Sequence, residues 1–282
     1  FYTFCNHPGG FGSCDIWYSR LVQGKWTTPA NAGPLLNTPG WEGQPSLSAA
    51  GDLLFFSSDR PGGKGKKDIW FAELEGWTPA GHPVWGAVAN AGDSINSYGD
   101  EISPFLHPGM RDLYFSSDSR PGFGGLDLFH ARQKPDGQWS QPRNLGYPVN
   151  TPGNEQGLVI DRTGGYGYFA TGGIRDGNMD LYRFETGESF RPAPVTYVKG
   201  RVSNATTGDP VSALVAVTGS DPAGRTDIRI RADENGFFLT PLPTGRDLMF
   251  SVKEKGFLFY SERFRLNTGS YAEPLERTIQ LF

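Results

Sequence analysis

Cysteine is almost missing from this chain: two residues in 282, Cys5 and Cys14, fall together in the first turn-rich stretch. So few thiols exclude a disulfide-built scaffold and a cysteine-rich metal centre, and leave one pair to explain. Apolar runs are short throughout, which excludes a membrane-spanning helix. The four histidines, His7, His82, His107 and His130, lie far apart without metal-ligand spacing. Basic residues are outnumbered by acidic ones, 26 to 30, and form no stripe, so the electrostatic footprint of a nucleic-acid surface is lacking. The one dense basic run, Lys64, Lys66 and Lys67, sits in a Gly-rich turn and reads as a solvated tip. No Gly-x-Ser-x-Gly elbow, no phosphate-binding loop before a helix and no Cys-x-x-Cys occurs. The sequence therefore points to no enzyme class, no cofactor and no metal site.

What is abundant is turn and strand material. The chain carries 39 Gly and 22 Pro beside 20 Phe, 11 Tyr and 7 Trp, with no helical periodicity. Such a composition predicts an all-β protein. Within it one stretch recurs. Ser57-Ser58-Asp59-Arg60-Pro61-Gly62-Gly63-Lys64-Gly65-Lys66-Lys67-Asp68-Ile69-Trp70 returns as Ser116-Ser117-Asp118-Ser119-Arg120-Pro121-Gly122-Phe123-Gly124-Gly125-Leu126-Asp127-Leu128-Phe129. An earlier copy runs Cys5-Asn6-His7-Pro8-Gly9-Gly10-Phe11-Gly12-Ser13-Cys14-Asp15-Ile16-Trp17, and a worn one ends at Met179-Asp180-Leu181-Tyr182. Asp15, Asp68, Asp127 and Asp180 are spaced 53, 59 and 53 residues apart. This is a repeat architecture.

A second element follows each copy: Trp26, Trp85 and Trp139 open it, with Asn37, Asn96 and Asn150 always 11 residues on and Glu42, Glu101 and Glu155 always 16 on. After each Glu come a short strand, a turn and an alternating apolar strand. Four short antiparallel strands per unit, without helices, predict a β-propeller with four-stranded blades. Its visible blades span 1–38, 41–96, 99–150 and 151–190. Residues 1–4 match the middle of a unit, so the propeller is expected to be incomplete at its N-terminal end. After Arg191-Pro192-Ala193-Pro194 the repeat stops, and about seven strands with turns between them predict a small antiparallel β-sandwich. The expected domains are 1–194 and 195–282.

Cys5 and Cys14 lie at the two feet of one hairpin, where directly paired residues come within disulfide range. The matching positions of the next copy are Ser58 and Lys67, so the pair is absent there as a pair. A disulfide and an oxidising compartment are expected; two reduced hairpin thiols are the alternative.

The blade wording resembles the WD40-like, TolB-related repeats of OmpA-family envelope proteins of Bacteroidota. The second domain is similar to carboxypeptidase regulatory-like domains through Gly200-Arg201-Val202, Thr207-Gly208-Asp209-Pro210-Val211, Asp233-Glu234-Asn235-Gly236-Phe237-Phe238, Leu242-Pro243-Thr244-Gly245 and Lys255-Gly256-Phe257. The order of the two resembles periplasmic lipoproteins of the type IX secretion system. That resemblance implies a non-catalytic periplasmic scaffold associated with the outer membrane, which binds protein partners of the envelope. It implies peptidoglycan attachment only through a domain outside this chain, and neither nucleic-acid binding nor direct membrane insertion.

Internal repetition sorts the candidate residues. A residue found in every blade serves what every blade needs, whereas a ligand site breaks the symmetry. Asp15, Asp59, Asp68, Asp118 and Asp127 are accordingly read as turn residues whose carboxylates cap free N–H groups. Calcium in those turns is the other reading, with the neighbouring lysines against it. Glu42, Glu101 and Glu155 introduce the strand nearest the axis and are candidates for a ring at one mouth of the channel. Such a ring would hold a cation or basic peptide, or supply the carboxylates of a glycan-cleaving site. Alternatively each Glu accepts a backbone N–H or bonds the repeated Asn. Asymmetry lies at residues 76–83, an insertion that stretches the Trp70 to Trp85 interval to fifteen where Trp17 to Trp26 is nine. Trp77, His82 and Trp85 are therefore candidates for a partner contact, against a loop that merely folds onto its own blade. A glycan-binding or glycan-cleaving propeller and a cation-stabilised structural module stand as alternatives to the scaffold.

Overall fold

The computed structural model describes residues 1–22, 24–172, 178–221, 224–266 and 273–282. Four sheets follow one another along the chain. The first comprises β1 (Tyr2–Cys5), β2 (Cys14–Tyr18) and β5 (Ala30–Asn31), with β3 (Leu21–Val22) and β4 (Lys25–Trp26) as a small separate hairpin. The second holds β6 (Glu42–Leu47), β7 (Leu53–Ser58), β8 (Asp68–Trp77), β9 (Pro83–Trp85) and β10 (Ala89–Asn90). The third holds β11 (Glu101–Leu106), β12 (Asp112–Ser117), β13 (Asp127–Arg132) and β14 (Arg143–Asn144), and the fourth β15 (Glu155–Ile160), β16 (Tyr166–Thr171) and β17 (Asp180–Glu185). These are propeller blades; among the described residues the first has three strands, as its expected incompleteness implies, and the fourth has three where four were expected. The fourth hairpin lies mostly outside the described residues.

Neighbouring blades bury alternate side chains against each other. Ile16 and Leu36 meet Leu54, Phe56 and Trp70; Phe55, Ile69 and Ile95 meet Leu113, Phe115 and Phe129; Tyr114, Leu128 and Leu145 meet Leu158, Ile160 and Phe169. Each such side chain contributes about 1.5–3 kcal/mol by leaving water. Leu181 occupies the position of Ile16, Ile69 and Leu128, yet it is 76% exposed where they are 0%. The onward face of the fourth blade is uncovered. Each inner strand also breaks register once, at Gly43/Ser46, Ile102/Phe105 and Gln156/Val159. At the break Gln44, Ser103 and Gly157 take positive φ of 53°, 53° and 68°. Two side-chain-bearing residues hold this costly conformation because the bulge is cross-linked. The Gln44 N–H donates to Thr3 Oγ1, and Gln44 Oε1 accepts from the Ser103 N–H, tying three blades together.

One register departs from expectation. Blade one pairs Phe4 with Asp15 and Cys5 with Cys14, whereas blade two pairs Ser58 with Asp68. Cys5 thus stands level with Asp59, not Ser58, because the first hairpin holds one more residue between its paired feet. The disulfide is formed between Cys5 and Cys14.

A short 3-10 turn at Glu188–Phe190 precedes the sandwich, whose strands are β18 (Val195–Asn204), β19 (Leu214–Asp221), β20 (Gly224–Arg231), β21 (Phe237–Pro243), β22 (Asp247–Lys253), β23 (Tyr260–Arg265) and β24 (Leu275–Leu281). Its sheets are ordered β21-β18-β24 and β20-β19-β22-β23. The sandwich is not wholly antiparallel, since β18 and β24 run parallel. Val198, Val215, Phe250, Leu242 and Ile279 fill the space between the sheets, and Ala50 and Met110 pack against that core from the propeller. Ala50 and Met110 lie in the turns from β6 to β7 and from β11 to β12, and the Val195 N–H donates to the Arg162 carbonyl in the equivalent turn of blade four. The sandwich therefore sits on the turn side of the blades. The Gly-rich hairpins project from the opposite side.

Candidate interaction face

Every described hairpin is built by one polar relay. Asp15 accepts from the Phe11 and Gly12 N–H groups, Asp68 from Lys64 and Gly65, and Asp127 from Phe123. The same carboxylates receive the side-chain amides of Asn31, Asn90 and Asn144. Those amides in turn accept from Asn37, Asn96 and Asn150. The last three act as a strand of one residue: Asn96 Oδ1 accepts from the Ile69 N–H at 2.8 Å and its Nδ2 donates to the Ile69 carbonyl at 2.9 Å, as Asn37 does with Ile16 and Asn150 with Leu128. Asp59 and Asp118 serve the loop that leads into their own blade instead, accepting from the N–H of Trp41 and Asp100. A side chain at Gly12, Gly65 or Gly124 would collide with the carbonyl of Gly40, Gly99 or Gly153. These glycines let each hairpin lie flat on the loop leading to the next blade.

Glu42, Glu101 and Glu155 do not ring a channel mouth. All three are fully buried. Glu42 accepts from the Thr38 N–H and hydroxyl and the Ser58 hydroxyl, each at 2.7 Å. Glu155 does the same with Thr151 and Thr171, and Glu101 with Ser97 and Ser117. The partners are hydroxyl and backbone groups, not the repeated Asn. Arg60 and Arg120 lie 3.6 and 3.9 Å from the first two carboxylates and reach across to the carbonyls of Leu36 and Ile95 in the preceding blade. Burial lowers both guanidinium pKa values while the adjacent Glu charge raises them. A buried carboxylate that accepts from both the incoming loop and the second strand is a structural clamp, and a catalytic carboxylate needs access to substrate.

The three candidates of the inserted loop are placed differently from one another. Trp85 is buried in the core between blades one and two. His82 Nδ1 lies 2.5 Å from the Tyr18 hydroxyl, and Arg20 donates to the Gly81 carbonyl at 2.7 Å. The Arg20 guanidinium stacks 4.9 Å above the Trp77 ring. The loop is folded onto blade one, and Trp77, Pro79, Ala80 and His82 remain exposed on it.

Exposed apolar side chains occur on the sandwich, at Leu258, Phe259 and Phe282, and also on the hairpin side. Phe11, Tyr98 and Phe123 are 49%, 76% and 53% exposed. Gly12 packs on the backbone at 38–40, Gly65 on that at 97–99 and Gly124 on that at 151–153, so each successive blade junction offers one bare ring. Tyr147, 78% exposed, and Leu35 extend the set. The lysines between them are matched at the surface: Lys64 with Asp93, Lys66 with Asp118 and Lys67 with Asp100. Among the described residues no group of three His, Cys, Asp or Glu is placed to hold a metal ion, and no helix is long and apolar enough to cross a membrane.

The sequence matches no known family model and no curated protein. Similar solved structures include TolB from Acinetobacter baumannii, at 12% identity and a TM-score of 0.41, covering 94% of this chain and 60% of that one. A nidogen/laminin complex gives 15% identity and a TM-score of 0.40 over 89% of this chain and 90% of the other. The periplasmic gluconolactonase PpgL of Pseudomonas aeruginosa gives 12% and 0.35 over 91% and 80%. The chain thus spans less than two thirds of the length of the TolB it resembles.

Proposed function

We propose that this chain is a non-catalytic extracytoplasmic scaffold whose hairpin face docks a protein partner. The observation that carries the reading is the line of bare rings, Phe11, Tyr98 and Phe123, at three consecutive blade junctions opposite the sandwich. Exposed aromatic side chains recurring at successive junctions, among matched charges, are what a protein interface offers. Aromatic anchors of this kind dominate binding energy. The Cys5–Cys14 disulfide supports an oxidising compartment. Burial of the three repeated glutamates removes the support of the glycan-cleaving alternative.

The finer reading rests on the wording of the repeats and the order of the two domains. Both support a PorE-like envelope lipoprotein of the type IX secretion system, periplasmic and associated with the outer membrane. Peptidoglycan would then be held by a separate domain of the family's proteins, with the sandwich as spacer. The test is capture from an envelope extract by the folded chain, compared with Phe11→Ser/Tyr98→Ser/Phe123→Ser and with Trp77→Ala. Loss of a defined protein partner with the triple variant alone supports the hairpin face. Loss with Trp77→Ala alone returns the contact to the inserted loop, and retention by both variants refutes the face.

A further inference from the structure

Each sheet of the sandwich ends in two edge strands, and three of the four edges are guarded against a further strand. On β18 the Val202 N–H donates to the Gly236 carbonyl, so the odd-numbered residues of β21 turn their backbone groups outward. Pro241 and Pro243 are among them, and proline has no N–H to offer. β20 faces the propeller: Thr226 and Ile228 share a cleft with blades two and three, and Arg229 and Arg231 another with blade two. β23 carries the exposed Arg263 and Arg265 with one carboxylate, Asp247, between them. Charges so placed keep other strands off an edge.

β24 has none of these guards. It holds neither Pro nor Gly, and its charges are matched within the domain: Lys199 bonds Glu276 at 2.8 Å, and Arg277 bonds both carboxylate oxygens of Glu262. The Leu281 carbonyl accepts from the Ala205 N–H, which sets the odd-numbered residues of β24 toward β18. The backbone groups of Glu276, Thr278 and Gln280 therefore turn outward. Arg277 Nη1 donates to the Glu276 carbonyl, and beyond Gln280 the Phe282 carbonyl accepts from the Leu258 N–H. Among the described residues no strand pairs with the rest of this edge. Leu258, Phe259 and Phe282, 74%, 72% and 73% exposed, stand at its end.

What fits this edge is the same edge. Laid antiparallel about a two-fold axis at Thr278, β24 sets Thr278 opposite its own copy, Glu276 opposite Gln280, Arg277 opposite Ile279 and Leu275 opposite Leu281. No charge then meets its like, and Thr facing Thr is a favourable cross-strand pair. Moving the axis to Glu276 opposes two carboxylates. Moving it to Gln280 drives Thr278 of the copy against the Phe282 carbonyl that Leu258 already holds. With the axis at Thr278 the apolar end of one edge comes beside Pro274 and Leu275 at the start of the other.

We propose that two copies of this chain join edge to edge through β24, merging two three-stranded sheets into one of six. The contact is isologous, so it closes at two copies. The propeller takes no part in it. Sedimentation of the full chain across concentration is expected to show a monomer–dimer equilibrium. Thr278→Lys is expected to weaken it about tenfold or more, because it sets like charges directly opposite each other at the axis.

Cysteine variants read the register, since the two native cysteines are bonded to each other. Directly opposed residues lie about 4.5–5.5 Å apart at Cα, within disulfide range, so Thr278→Cys is expected to oxidise to a covalent dimer. Glu276→Cys alone is not, because its copy lies roughly 14 Å away, whereas Glu276→Cys mixed with Gln280→Cys cross-links. Thr278→Cys, a small change at an exposed position, carries the test if Thr278→Lys does not fold. Absence of the Thr278→Cys cross-link at roughly 100 µM chain overturns the proposal. So does a dimer that Thr278→Lys leaves intact, or cross-linking of Glu276→Cys alone as readily as of Thr278→Cys, since the copies would then meet elsewhere or in another register.

Discussion

Replacing Asn96 by alanine probes what joins each blade's outer loop to its strands. The side chain is buried and makes three bonds, to the Ile69 N–H, the Ile69 carbonyl and Asn90 Oδ1. After truncation the Ile69 carbonyl still accepts from Ala91, and Asn90 Oδ1 still accepts from Gly92. The Ile69 N–H loses its Asn96 acceptor inside the protein. An orphaned buried donor costs about 1–3 kcal/mol, and the two thinned bonds add a smaller amount, so a loss of about 2–4 kcal/mol is expected. Urea unfolding measures the total, and amide hydrogen exchange reports the site. The Ile69 amide should exchange faster while the Phe129 amide, a blade away, changes only with global stability. Because Asn37 and Asn150 bond Ile16 and Leu128 in the same way, their alanine variants should give similar losses. A loss below about 0.5 kcal/mol, with Ile69 still protected, would refute the view that these residues replace a strand.

Three further outcomes follow from the packing and the charges. Cys5→Ser/Cys14→Ser removes a cross-link that closes a loop of sequence separation 9, and should lower stability by about 2.5 kcal/mol by the chain-entropy relation, measured against wild type with and without reductant. Leu128→Ala should cost about 2–5 kcal/mol in chemical unfolding because it opens a cavity between blades, whereas Leu181→Ala, on the uncovered face, should cost less than about 0.5 kcal/mol. Burial holds the His107 pKa below its ordinary 6.5, although the hydrogen bond to the Asp161 carbonyl and the Asp112 and Asp161 charges pull it up. The unfolded chain therefore binds more protons just below pH 6.5, so the stability linked to a neutral His107 is complete above that value and falls as pH drops from it. Asp112 follows at lower pH: burial alone would raise its pKa, but His130 and Arg132 outweigh burial and hold it below 3.8, so its contribution is lost only in stronger acid. His107→Gln should flatten the first decline and leave the second, as read by Tm against pH.

Much of the fold was legible because the repeat imposes a strict register. The 11-residue and 16-residue intervals from each Trp put Asn96 and Glu101 at fixed places in the blade, and the period-2 alternation of Leu54, Phe55 and Phe56 assigns one side chain to each neighbouring blade. Registers that depend on a single extra residue were less legible. Cys5 sits opposite Cys14 only because the first hairpin is longer by one between its feet, which an alignment by motif hides. Strand direction was hidden too: nothing in Val198 or Ile279 tells whether β18 and β24 run together or apart.

The site was legible where repetition could be used as evidence and opaque where function uses unlike residues at like places. Glu42, Glu101 and Glu155 recur because each blade needs a clamp, and the Ser and Thr hydroxyls that satisfy them recur beside them. The bare rings break that rule. Phe11 and Phe123 stand where blade two has Lys64, and Tyr98 stands where the other loops have Pro39 and Pro152. Read along the chain they are unrelated. Folded, the hairpin and the loop of each junction touch, so an aromatic on either one bares a ring at the same place. What is common to the junctions is a surface property and not a residue, and a property of that kind becomes visible only when the two segments that share it are brought together.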